Sequence, residues 1–280
     1  MPFETVNSVT LHYEVLGTAG PWVALMSGAR RNMDEMRGLA TRLAEAGFRV
    51  LLHDRRNTGL SSLSIAGEGS EFDIWADDLC ALAQRLGLPP LIVGGSSSGC
   101  RAATIMALRH RNAIRALVMM RVTGGAFAVK RLSHIYYGQY IEAVERGGME
   151  EVCRTDHFRD LIALVPARRS QMLAWDPQRF RQIFLRWRAD LERGVDDPML
   201  GASEAALRAI DFPVCVLPGN DRTHSIAAGL GVHRLIPGAE LHELRTDQLD
   251  ADLISLGEWA SDDRLAPVVT GFLRRVTAGD

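Results

Sequence analysis

Lysine is almost missing from these 280 residues: Lys130 is the only one, so arginine carries nearly all the positive charge. With 32 basic and 34 acidic residues the formal net charge is −2, which leaves no footprint for nucleic acid. Long apolar runs are also lacking, and none approaches the ~20 residues that a bilayer-spanning helix needs. Met1-Pro2-Phe3-Glu4 is not a basic-then-apolar leader. No membrane association and a cytoplasmic location are therefore expected. Cysteine is scarce, and Cys80, Cys100, Cys153 and Cys215 are too far apart in sequence to form a metal-type pair, so reduced, buried thiols are expected. With no dinucleotide fingerprint either, no metal or organic cofactor is expected. Histidine is absent after His242.

What is present is a turn built from small residues. Gly95-Ser96-Ser97-Ser98-Gly99 lies between the apolar run Leu91-Ile92-Val93 and a helix-like run from Cys100 to Leu108. A Gly-x-Ser-x-Gly between strand and helix has the form of a nucleophile elbow. The turn is so tight that side chains two positions either side of its centre would collide. Gly95 and Gly99 remove that collision and leave Ser97 at the sheet edge with its hydroxyl presented. A helix starting at Ser98 aims unpaired N–H groups at the same spot, where negative charge develops during acyl transfer.

Elsewhere strand-like and helix-like segments alternate. Strands are expected at Thr10–Leu16, Trp22–Met26, Phe48–His53, Leu91–Val93 and Ala113–Met120, with helices over Met33–Ala46 and Phe72–Leu86. This rhythm implies right-handed crossovers around a parallel sheet. It stops after Gly124-Gly125 and resumes at Pro213–Leu217, followed by a helix over Ser225–Leu235, a strand over Ala239–Leu244 and a closing helix over Leu265–Val276. The fold class expected is α/β, a mostly parallel doubly wound sheet, with residues 1–125 and 211–280 as core and 126–210 as a helical insertion.

On these features the chain resembles the α/β-hydrolase superfamily of the serine-nucleophile type. The elbow at Ser97, the Met26-Ser27-Gly28-Ala29 turn, the Asp54-Arg55-Arg56-Asn57-Thr58-Gly59 turn and Gly219-Asn220-Asp221 occur in the family's order. The resemblance implies that the insertion is a helical cap, that Asp221 is the acid of a triad, and that Ala29 and Ser98 offer oxyanion amides. Ser27 stands where the family has histidine, and Asn57 where glycine is common; asparagine tolerates the positive φ such a turn requires. A larger departure concerns the general base. The family's histidine follows the last strand, but here that place holds Asp247-Gln248-Leu249.

His224, three residues beyond Asp221, is the leading replacement, because loops at the carboxyl ends of parallel strands face the site. A helix-start or surface histidine is the plainer alternative. Asp221 would orient His224 or act on substrate, and Asp247 is an alternative acid. His134 and His157 are secondary candidates from the insertion; His53 is expected to pack at a strand end, and His12, His110 and His233 to be peripheral. Arg30 and Arg31 are expected to bring positive charge to the pocket mouth. Arg121 is expected either to clamp a substrate carboxylate or to form a salt bridge. Tyr136, Tyr137 and Tyr140 form a pocket wall or ordinary packing, and the arginines from Arg179 to Arg193 a solvated helix face over Phe180, Phe184 and Trp187.

The activity expected is hydrolysis of a small ester, lactone or thioester through an acyl-enzyme on Ser97. The partner expected is a small molecule, with a carboxylate if Arg121 is a clamp; both monomer and homo-oligomer are open. A non-hydrolytic small-molecule-binding descendant of the fold, and a carbon–carbon hydrolase or lyase, are the competing readings.

Overall fold

A computed structural model of the chain describes residues 2–278. Its centre is an eight-stranded sheet in the order β1-β2-β4-β3-β5-β6-β7-β8. The strands are β1 (Phe3–Val6), β2 (Val9–Leu16), β3 (Trp22–Met26), β4 (Arg49–His53), β5 (Leu91–Ser96), β6 (Ile114–Met120), β7 (Val214–Leu217) and β8 (Glu240–Leu241). The first two are antiparallel to their neighbours, and the strands from β4 through β8 run parallel. The parallel strands read as continuous apolar runs because both faces are covered. In β5, Leu91 and Val93 join the core on one side of the sheet, while Ile92 joins the core on the other.

Helices α1 (Arg37–Glu45), α2 (Glu71–Arg85) and α3 (Ser98–Arg109) alternate with the strands. Between β6 and β7 lie α4 (Ala126–Ser133), α5 (Gln139–Arg154), α6 (Asp156–Leu164), α7 (Arg168–Leu173), α8 (Pro177–Arg193) and α9 (Glu204–Arg208). The expected helical insertion is therefore present. Its α4 and α5 are joined by a π-helical turn, His134–Gly138, which carries Tyr136 and Tyr137. Phe180, Phe184 and Trp187 are buried on the underside of α8. Then come α10 (Ile226–Leu235), α11 (Leu256–Trp259) and α12 (Asp262–Thr277). Among the described residues no helix is long and apolar enough to cross a membrane. All four cysteines are free and buried.

Two local differences from the sequence reading matter. The first hairpin strand, Phe3–Val6, has no clear alternation and escapes a pattern search. The expected strand over Ala239–Leu244 is cut to Glu240–Leu241. Beyond it the chain folds back along the loop after β7: Arg222 and Thr223 donate their backbone N–H groups to Ala251 and Asp252 carbonyls at 2.8 and 3.2 Å. Those bonds brace the loop that holds Asp221 and His224.

The Asp54 turn also serves the site. Asn57 takes the expected positive φ of 65°. Asp54 ties three segments together, accepting from the Met33 and Leu60 backbones and pairing with the His12 ring, each at 2.8 Å. His12 is thus buried in the structure, not peripheral.

Candidate active site

The elbow forms because its neighbours are glycines. Ser97 has φ 56° and ψ −116°, a conformation that a non-glycine residue keeps only when the surroundings enforce it. A methyl group on Gly95 would lie 2.4 Å from the Gly99 carbonyl carbon, and one on Gly99 would lie 2.1 Å from the Met26 oxygen. Ser97 N–H donates to the Met120 carbonyl at 3.0 Å, which pins the turn to β6.

A second tight turn supplies its partner. After β7 the chain passes Gly219, where a methyl group would lie 2.4 Å from the His224 Cβ. Asp221 Oδ1 accepts the backbone N–H groups of Thr223 and His224 at 2.9 and 2.8 Å. The same carboxylate meets the His224 ring, with Nδ1 at 3.0 Å from both oxygens. An ionised carboxylate only accepts, so the hydrogen-bond network assigns the ring proton to Nδ1. The other ring nitrogen, Nε2, then has a lone pair facing Ser97 Oγ at 2.7 Å. Serine hydroxyl, imidazole and carboxylate stand in line.

Asp221 and His224 are both fully buried. Burial alone would raise the Asp221 pKa, but hydrogen bonds from His224, its charge and the Arg121 guanidinium outweigh that and hold the carboxyl well below its usual range. Burial pushes His224 below its ordinary value of 6.5, against the opposing pull of Asp221. The ring is therefore neutral near pH 7 and able to take a proton.

Arg121 is held by this network. Its Nη2 donates to Asp221 Oδ2 at 2.9 Å and to the Ile254 carbonyl at 2.5 Å. Of the two roles considered for it, the salt bridge is the one formed, because Asp221 is the nearest buried charge. Arg30 also departs from expectation. It does not stand at a pocket mouth; it is buried, and it grips Glu71 with two bonds of 2.5 and 2.7 Å among Trp75, Tyr136 and Tyr140. A guanidinium beside an apolar surface takes the nearest carboxylate, and Glu71 on α2 is that partner.

The remaining histidines stay away from Ser97. His134 is exposed and faces Glu142 at 3.6 Å. His157 bonds the Asn57 carbonyl at 2.9 Å, and burial lowers its pKa to about 3. His53 is buried with neither ring nitrogen bonded, also lowered to about 3 by burial. Asp247 is exposed and meets Asn220 through its backbone, so of these two acids it is Asp221 that faces the imidazole.

A cavity of about 60 Å³ opens onto Ser97 and His224, with Ala29, Arg31, Glu35 and Tyr136 in its wall. Clefts of about 560 and 760 Å³ lie elsewhere, but neither reaches the serine. The loop with Ala29 is held from several sides. The Ala29 carbonyl accepts from Arg55 Nη2 at 2.7 Å and from Ser98 Oγ at 2.9 Å, and Ser27 Oγ donates to the Asn32 carbonyl at 2.7 Å. Arg55 and Glu35 escaped the sequence reading. Neither has a spacing that marks it, since each acts through a loop backbone brought close only by the fold.

A family model described as "alpha/beta hydrolase fold" matches residues 21–134, which span the Ala29 loop, the Asp54 turn and the elbow. The chain has the α/β-hydrolase fold. A solved structure similar over nearly the whole chain is the enol-lactonase from Burkholderia xenovorans LB400, with TM-score 0.64 and 19% identity over 97% of this chain and 99% of that one. A thermophilic esterase from Thermogutta terrifontis gives TM-score 0.65 and 22% identity over 96% and 94%. Among curated relatives, a putative non-heme chloroperoxidase from Synechocystis is 36% identical over 109 residues, 37% of this chain and 38% of that protein. The chain thus spans about two-fifths of the length of such relatives. A 2-hydroxymuconate semialdehyde hydrolase from Pseudomonas putida is 24% identical over 82% of this chain and 78% of its own length.

Proposed function

We propose that this chain cleaves a small ester, lactone or thioester through an acyl-enzyme on Ser97. The observation that carries the reading is the 2.7 Å contact of Ser97 Oγ with His224 Nε2, while His224 Nδ1 rests on Asp221. As Oγ bonds to the substrate carbonyl carbon, its proton passes to Nε2 and the carbonyl oxygen becomes an oxyanion. The amides of Ala29 and Ser98 are its donors in this reading, and a donor of that kind is typically worth about 3 kcal/mol in the transition state. Collapse of the intermediate breaks the bond to the leaving oxygen or sulfur, which takes the proton from His224. Water then gives a proton to the same ring and attacks the acyl carbon, which frees the acid and restores Ser97. Asp221 keeps Nδ1–H oriented and stabilises the imidazolium formed at each step.

Residues 126–210 act as a cap over a core of 1–125 and 211–280, placing Tyr136 in the cavity wall. A cavity of about 60 Å³ suits an acyl group of only a few heavy atoms. Carbon–carbon bond hydrolysis in the same pocket is the second reading, supported by the similarity to the semialdehyde hydrolase over 82% of the chain. The substrate series p-nitrophenyl acetate, butyrate and octanoate tests the first reading. Turnover that is fastest on acetate, and absent in Ser97→Ala, is expected; equal turnover by Ser97→Ala rejects it.

A further inference from the structure

Glu35 takes no part in the proton path described above, yet its carboxylate is in the cavity wall beside Ser97. It belongs to the short 3-10 turn Met33–Met36, which Asp54 anchors by accepting the Met33 N–H at 2.8 Å. Glu35 Oε1 accepts from Arg31 Nη1 at 2.7 Å, and its side chain is only 10% exposed although that of Arg31 is 50% exposed. Its other oxygen, Oε2, accepts the backbone N–H of Gly28. A methyl group on Gly28 would lie 3.1 Å from that oxygen and 3.5 Å from Ser97 Cβ. A side chain at Gly28 would therefore crowd the carboxylate beside the nucleophile.

We propose that Glu35 is a positioning residue that fixes the Ala29 loop in its oxyanion-binding orientation and places one negative charge opposite His224. The inference rests on the acyl-transfer reading and adds to it a residue that does not touch the reacting atoms. The geometry of a peptide unit carries it. In a trans peptide the C=O and the following N–H point in opposite directions. The Gly28 carbonyl is drawn one way by the Arg31 N–H at 3.2 Å and Arg55 Nη2 at 3.4 Å, so the Ala29 N–H of the same unit is directed the other way. Glu35 holds the Gly28 N–H of the preceding peptide unit, and Arg55 with Ser98 holds the Ala29 carbonyl of the following one, so the unit between them is fixed from both sides. Ala29 itself has φ 42°, so the loop occupies a region that it would leave if released. Of these ties, Glu35 alone brings negative charge. His224 faces Asp221, Arg121 and the Ser97 hydroxyl directly, with Glu35, Arg31 and Arg131 also in the cavity wall.

The test compares Glu35→Ala, which loses bond and charge, with Glu35→Gln, which keeps an acceptor oxygen but loses the charge. Deuterium uptake over residues 27–32 is measured with kcat, KM and the pH profile on p-nitrophenyl acetate, and thermal unfolding checks that each variant is folded. Glu35→Ala is expected to exchange faster in this segment and to lose tenfold or more in kcat with little change in KM. Glu35→Gln is expected to recover most of that kcat while the acidic limb of its profile moves to lower pH, since removing a nearby negative charge weakens the hold of His224 on a proton. Unchanged exchange in Glu35→Ala overturns the inference whatever the activity. So does an equal kcat loss in both variants with no movement of the acidic limb. Faster exchange in a protein that never hydrolyses the ester supports the loop role and overturns the hydrolase reading instead.

Discussion

Asp221 holds His224 twice, once through the backbone N–H at 2.8 Å and once through the ring Nδ1 at 3.0 Å. Carboxylate and imidazole therefore share one tight turn on a single loop. In the proposed mechanism the histidine expected after the last strand is replaced by His224, carried on the Asp221 loop three residues on. The 2.7 Å reach to Ser97 is set by the tight packing of Gly219 against His224 and by the brace from residues 251 and 252.

Asp221→Asn separates the carboxylate's charge from its shape. Asparagine can donate to Nδ1, which favours the ring tautomer with its proton on Nε2, facing Ser97. Steady-state kcat is expected to fall by about 10³–10⁴-fold, the scale of the equivalent change in a serine protease triad. Retention of a tenth or more of the activity would show that Asp221 does not set the tautomer.

Arg121 bears on pH dependence with a definite sign. In the proposed mechanism His224 must be neutral, so kcat/KM is expected to fall as pH drops through the pKa of that ring, which burial has already lowered from 6.5. The positive charge of Arg121 adds to this lowering. Arg121→Gln is therefore expected to move the acidic limb to higher pH, the direction opposite to Glu35→Gln. A pH–rate profile on both variants checks it, and movement in the same direction contradicts the charge assignment.

Two histidines outside the site make the fold sensitive to acid. His53 is buried and His157 partly buried, and both are held neutral with pKa values of about 3, while an unfolded histidine titrates near 6.5. Between those values the unfolded chain binds more protons than the folded one, so stability rises with pH in that window and falls as pH is lowered through it. Each ring contributes up to about 1.4 kcal/mol per pH unit there. The urea midpoint is expected to drop clearly from pH 7 to pH 5, and His157→Gln to reduce the slope. An unchanged slope would show that His157 protonates without unfolding.

Much of this was legible in the sequence because local chemistry dictated it. Gly95 and Gly99 announced the elbow through a steric need that no distant contact supplies, and the continuous apolar runs announced a sheet buried on both sides. His224 was legible only as a candidate, since a histidine near a helix start has no mark that says which way its ring turns. The fates of Arg30 and Arg121 depended on carboxylates 41 and 100 residues away, Glu71 and Asp221, which only the fold brings near. The strand expected over Ala239–Leu244 is shorter than its pattern suggests: His242 N–H still donates to Val216 in β7, and farther on Leu249, Ala251 and Asp252 bond the Asp221 loop. Glu35 was silent because its partner is a backbone amide.

The most direct measurement is intact-mass analysis after exposure to a fluorophosphonate, on the native chain and on the Ser97→Ala and His224→Ala variants. One adduct per native chain, none on Ser97→Ala, and labelling slowed by at least about 10³-fold in His224→Ala are the results this account predicts, given that a serine hydroxyl needs its base. A native chain that stays unlabelled, or a His224→Ala variant labelled at the native rate, would contradict it.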